Sequence, residues 1–146
     1  MAASGRRLGR ATRAGLAALA LGLVAVLATA GRLRPDPRGY GTHEQLGLKP
    51  CAFRALTGRP CPHCGMTTAF AWWARGRLDR AWRANPAGAV LAPTCLALIP
   101  WLLACAARGR PWGTRSLERP LMTVVVAAVA LGLGAWTIRQ ISWGGR

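Results

Sequence analysis

The chain has 146 residues, 52% of them hydrophobic, and sets 20 basic side chains against 4 acidic ones for a formal charge of +16. That length holds one domain. The apolar residues gather in three long uncharged blocks between arginine-rich stretches, which excludes an ordinary soluble globule and points to a membrane. The charge does not indicate nucleic acid: 19 of the 20 basic residues are Arg, they flank apolar blocks where they anchor helices at anionic headgroups, and no recognition motif accompanies them.

Residues 1–13 form a basic tail with Arg6, Arg7, Arg10 and Arg13, followed by 18 uncharged residues over 14–31. At ~1.5 Å per residue this block makes a helix of roughly 27 Å, adequate for a first transmembrane helix. The run ends in Ala28-Thr29-Ala30, so it also carries the charged region, apolar region and small-x-small site of a signal peptide. A retained span is the favoured reading, and both readings carry the next segment across the membrane. Residues 32–60 are rich in Pro and Gly and read as an extracytoplasmic loop.

Residues 61–84 begin with Cys61-Pro62-His63-Cys64 and continue through MTTAFAWWA, an apolar helix that reaches about half of a bilayer. It must lie in the interface, dip in and return, or pack on the spans. Gly76 breaks it. RLDRAWRA then sets Arg77, Arg80 and Arg83 on one side and Leu78, Ala81 and Trp82 on the other, the pattern of a helix lying flat at the headgroups with Trp82 buried.

Asn85-Pro86 opens the second span, residues 85–107, where a proline in the first turn costs no hydrogen bond. Pro93 and Pro100 recur at the same seven-residue spacing and can kink it. A basic cytoplasmic loop, residues 108–119, precedes the third span over 120–138 and a tail over 139–146. No ionisable residue interrupts the three apolar blocks, which argues against a transport pathway. Trp101, Trp112, Trp136 and Trp143 fall near span ends, as interfacial anchors do. Weighting the first helix and the short loop places the N-terminus inside and the cysteine region outside, although residues 32–83 carry ten basic side chains of their own. The expected fold is an all-α integral membrane protein with three transmembrane helices and a short re-entrant or interfacial helix pair.

Of five cysteines, Cys95 and Cys105 lie inside the second apolar block and read as packing. Cys51, Cys61 and Cys64 are spaced C-x9-C-x2-C, and three chemistries suit them. If Pro62 opened a helix, Cys61 would be its N-cap and a lowered-pKa nucleophile, with Cys64 the resolving thiol of a membrane thiol-disulfide oxidoreductase. Cys51, Cys61 and Cys64 with His43 would make a closed Cys3His set for zinc. Two of the thiols could instead form a structural disulfide in a loop with little core of its own, or the three could only pack as thiols.

The stretch CAFRALTGRPCPHCGMTTAFAWWARGRLDRAWRANPAG resembles the family of bacterial membrane proteins grouped as domain of unknown function 2752. The matching positions are Cys51, Thr57, Gly58, Cys61, Pro62, Cys64, Gly65, Thr67, Gly76, Asn85 and Pro86. An Arg often follows the motif threonine in that family, whereas Thr68 stands here, and the residue between the cysteines varies, which makes His63 incidental. The resemblance implies a small multi-span protein of the bacterial inner membrane and brings no established activity. Together these features lead to a non-enzymatic membrane component whose cysteine cluster, held by a metal such as zinc or by a disulfide, fixes a segment for contact with a membrane protein partner or with anionic lipid. The alternative is the oxidoreductase using Cys61 and Cys64.

Overall fold

The computed structural model describes residues 7–114 and 116–143, with only the backbone of Ser142 and Trp143. The contributions expected of Arg6, Arg115 and the Trp143 side chain lie outside the described residues. All regular structure among the described residues is helical: α1 (Arg10–Arg32), a 3-10 turn (Thr42–Leu46), α2 (Ala52–Thr57), α3 (Met66–Trp73), α4 (Leu78–Ala84), α5 (Pro86–Arg108) and α6 (Glu118–Trp143). Three helices are long and apolar enough to cross a membrane, over Arg10–Arg32, Pro86–Arg108 and Glu118–Ile141, with mean hydropathies of 2.1, 2.0 and 2.2. The all-α expectation with three such helices therefore holds.

Helices α1 and α5 run antiparallel, and small side chains let them approach closely, as in membrane helix pairs generally. Leu16 and Ala20 of α1 pack with Leu102, Cys105 and Ala106 of α5 at one end, and Ala30 packs with Ala92 and Cys95 at the other. Cys95 and Cys105 are thus core thiols, as their apolar setting implied. Arg13 closes the first end by donating to the carbonyl oxygens of Ala106 at 2.6 Å and Ala107 at 3.3 Å. These are last-turn carbonyls of α5 with no partner inside their own helix. Pro93 and Pro100 lie on the exposed side of α5, which continues unbroken through both.

The half-length apolar helix α3 takes the third of its expected options and packs on the spans, with Phe70 joining the Ala30–Ala92–Cys95 cluster. Gly76, at φ +69°, turns the chain back into α4. Helix α4 buries only part of its expected apolar side inside the protein. Its inward face is Ala81 and Ala84, packed near Ala69, Trp72 and Trp73, whereas Trp82 is 55% exposed. Alanines allow the closer backbone approach, so the large indole is turned outward.

Helix α6 begins beside the Leu16 cluster, where Leu117 and Leu121 pack, and ends beside the cysteine loop, where the Trp136 indole donates to the Pro60 carbonyl at 2.9 Å. Trp136 therefore fastens the loop in addition to lying near a span end. Trp101 similarly donates to the Trp112 carbonyl at 2.9 Å, and the Arg108 guanidinium lies 4.7 Å from the centre of the Trp112 ring. The N-terminal stretch and the α5–α6 loop share one end of the bundle. The cysteine segment and the end of α6 share the other.

Candidate metal centre

The loop after α1 is built on side-chain hydrogen bonds, because its Pro and Gly content leaves few backbone ones. Gln45 accepts from the Arg34 amide at 3.0 Å and donates to the Arg34 carbonyl at 2.6 Å. Asp36 holds the Arg38 guanidinium at 2.6 Å, and that side-chain pairing keeps the Asp36 carboxyl below its ordinary range. Thr42, fully buried, accepts from the Asp36 amide at 3.0 Å and pairs its hydroxyl with that of Thr68 at 2.8 Å. This pair docks the 3-10 turn on α3 and carries His43 to the cavity above the cysteines.

The Cys61–Gly65 segment is a tight turn. The Cys64 amide donates to the Cys61 carbonyl at 3.1 Å, and the Cys61 amide donates to the Cys64 sulfur at 3.2 Å. Gly65 follows at φ +87°, a conformation that favours glycine. A Cβ at this position would run into the Ala84 carbonyl oxygen and come within 2.7 Å of the Gly39 carbonyl oxygen. The turn is held from below by Asn85, which is 1% exposed. Its amide nitrogen donates to the carbonyls of Cys64 at 3.1 Å and Pro62 at 3.3 Å, while its oxygen caps α5 by accepting from the Gly88 amide at 3.0 Å. From the side, Trp136 and Gln140 both donate to the Pro60 carbonyl at 2.9 Å.

Helix α3 begins at Met66, with Gly65 as its N-cap, so Pro62 does not open a helix and Cys61 is not an N-cap. Helical geometry would bury the Pro62 and Cys64 carbonyls in an i to i+4 ladder, and Asn85 takes them instead. The preorganised helix-start nucleophile expected for an oxidoreductase is absent at Cys61.

The Sγ atoms of Cys51, Cys61 and Cys64 lie within 4.8 Å of one another, and those of Cys61 and Cys64 are 3.1 Å apart. All five cysteines are free thiols. Zinc bound tetrahedrally at ~2.3 Å from each sulfur holds its sulfurs about 3.8 Å apart, so the trio fits one thiophilic ion once Cys61 and Cys64 part by about 0.7 Å and Cys51, within 4.8 Å of both, takes the same spacing. The Cys61 amide against the Cys64 sulfur is the kind of outer contact that supports a metal-bound thiolate. The Arg54 backbone amide holds the Cys51 thiol below its ordinary value. Burial, with Cys61 beside it, pushes Cys64 up to about 12.

The cluster opens on a cavity of about 640 Å³. His43 and His63 both line it, and the Arg54 guanidinium stacks at 3.5 Å from the centre of the Tyr40 ring at its edge. His43 stands outside the group of three mutually close ligand atoms. His63 is exposed.

The other motif positions have local duties. Thr57 donates to the Phe53 carbonyl at 2.7 Å and accepts from the Arg59 amide at 3.2 Å, while Gly58 ends α2 at φ +70°. Thr67 lines the cavity. Thr68, the residue after the motif threonine, is fully buried against Thr42. Sequence reasoning missed Thr42, Thr68 and Gln140. Thr68 carried the one available signal, since it adjoins the motif threonine on a helix whose neighbours are all apolar or small.

Residues 51–99 match the family model described as protein of unknown function (DUF2752). That segment contains the whole cysteine centre, its Asn85 support and the first half of α5, so the family pattern and the built site coincide. No curated protein and no solved structure matches the chain.

Proposed function

We propose that this protein is a multi-pass component of the bacterial cytoplasmic membrane whose non-spanning segment is fixed by a structural zinc ion on Cys51, Cys61 and Cys64, with His43 as the fourth ligand. The observation that carries this reading is the convergence of three thiols from two separate turns to within 4.8 Å of one another. Three such thiols are soft ligands of the kind that select zinc among common divalent ions. The ion would neutralise thiolates that burial otherwise disfavours at Cys64, and would tie the start of α2 to the turn before α3. The N-terminus faces the cytoplasm and the centre lies outside. The segment presents a surface to a membrane protein partner or to anionic lipid and catalyses no reaction.

The purified chain should contain zinc at close to one ion per molecule, and Cys51→Ser should lose it together with much of the protein's abundance in the membrane. Metal-free protein with its cysteines oxidised would overturn the proposal. A second reading, thiol-disulfide exchange, draws on the 3.1 Å separation of Cys61 and Cys64. The Cys61 thiolate would attack a partner's disulfide and release one partner thiolate. Cys64 would then displace the other, leaving a Cys61–Cys64 disulfide and a reduced partner. That reading requires Cys64→Ser to trap a mixed disulfide. Recovery of no such adduct, with loss of protein instead, supports the structural site.

A further inference from the structure

At the opposite end of the bundle, Arg7, Leu8, Arg13, Arg108, Gly109 and Arg110 line a second cavity of about 540 Å³. The main chain itself builds it: the Leu8 amide donates to the Gly109 carbonyl at 2.8 Å, which fastens the residues before α1 to the turn after α5. Four arginines thus line one space with no carboxylate in its lining, Arg108 among them with its guanidinium 4.7 Å from the centre of the Trp112 ring. Of the chain's acids, Asp36, Glu44 and Asp79 belong to the cysteine end, and only Glu118 belongs to this one.

Like charges so placed repel one another at a strength that depends on their exposure to solvent. The α5 C-terminus offsets part of this, since Arg13 donates to the Ala106 and Ala107 carbonyls. The rest calls for an anion. The cavity sits at the ends of α1 and α5, two helices of membrane-crossing length, which is headgroup depth. It also adjoins the apolar cluster of Leu16, Leu102 and Ala106, against which Leu8 packs. Its volume is that of a small-molecule site, larger than one inorganic ion fills. We propose that this cavity binds the phosphate headgroup of an anionic phospholipid, with the acyl chains running down beside Leu8 and the α1–α5 seam. Basic pockets between membrane helices are a recurrent means of holding such headgroups.

The test is native mass spectrometry of the full chain in neutral detergent, titrated with phosphatidylglycerol, with phosphatidylcholine, and with inorganic phosphate. Phosphatidylglycerol should bind saturably and in preference to the other two. Arg7→Gln with Arg110→Gln should weaken it about thirtyfold, whereas Arg59→Gln with Arg83→Gln, exposed arginines of the cysteine end, should not. Arg7 and Arg110 are both exposed, and the Arg7→Lys with Arg110→Lys pair, which keeps the charge, should retain most of the binding and so separates lost charge from lost fold. Equal weakening by the two Gln pairs, or by neither, overturns the site. Inorganic phosphate binding as tightly as the lipid overturns the lipid assignment.

Discussion

The two ends of the bundle face the same physical problem, helix termini with unpartnered backbone groups, and differ in how far neutral buried side chains share the task with arginines. At the cysteine end neutral, buried side chains carry the site, Thr42, Thr68 and Asn85, each at most 1% exposed and together the buried polar residues among the described ones, while Arg75 donates to the Gly31 carbonyl and Arg139 to the Ala84 carbonyl. At the arginine end the partner is a charged side chain, Arg13, at the rim of an open cavity. Neutral buried contacts permit only one arrangement, because a displaced partner leaves an unsatisfied group in a dry site. Guanidinium contacts to helix-end carbonyls are forgiving and leave charge available to the surroundings. The first end is suited to hold a fixed ligand set, and the second to hold an anion supplied by the membrane.

That contrast predicts unequal sensitivity. The largest effect is expected from Gly65→Ala, where the left-handed backbone costs about 1–2 kcal/mol and the collision with backbone carbonyls adds to it. A total loss of about 3 kcal/mol or more, read from denaturation in detergent, should come with loss of bound metal. A loss under about 0.5 kcal/mol would mean that the turn can relax, and the contrast would fail. Asn85→Ala comes next, at about 2–3 kcal/mol, because it removes a helix cap and leaves two buried carbonyls without donors. Asn85→Asp keeps the cap acceptor and loses the donors, so it should fall between wild type and Ala in the same titration. The smallest effect belongs to the other end: Arg13→Gln should cost about 1 kcal/mol, the scale of a cation at a helix C-terminus, read as a small fall in the thermal midpoint with metal content unchanged. If Arg13→Gln matched Asn85→Ala, the two ends would not differ in kind.

Much of this was legible in the sequence, for identifiable reasons. Spans follow from uncharged length, so α1, α5 and α6 were visible, and the fixed spacing of Cys51, Cys61, Cys64 and Asn85-Pro86 marked the site. Hydropathy cannot tell which span is central. The apolar windows of α5 and α6 score 2.0 and 2.2, yet 28% of the first is buried inside the protein and none of the second. Periodicity groups Leu78, Ala81 and Trp82 by hydrophobicity, whereas close packing inside the protein takes Ala81 with Ala84 and leaves Trp82 facing outward. The apolar run from Met66 marked α3, but whether Pro62 opened a helix could not be read locally, because proline favours a first helical turn and Asn85, 23 residues away, supplies a contact that holds a turn there instead. The Thr42–Thr68 pair spans 26 residues, and no local pattern announces it.

The central claim is that the three thiols hold a metal, and zinc X-ray absorption on the purified, reduced chain tests it most directly. The account predicts three sulfur neighbours at about 2.3 Å and one nitrogen or oxygen neighbour at about 2.0–2.1 Å, with the nitrogen signal diminished in His43→Ala. Reduced protein that carries no zinc, its three thiols free, would contradict it.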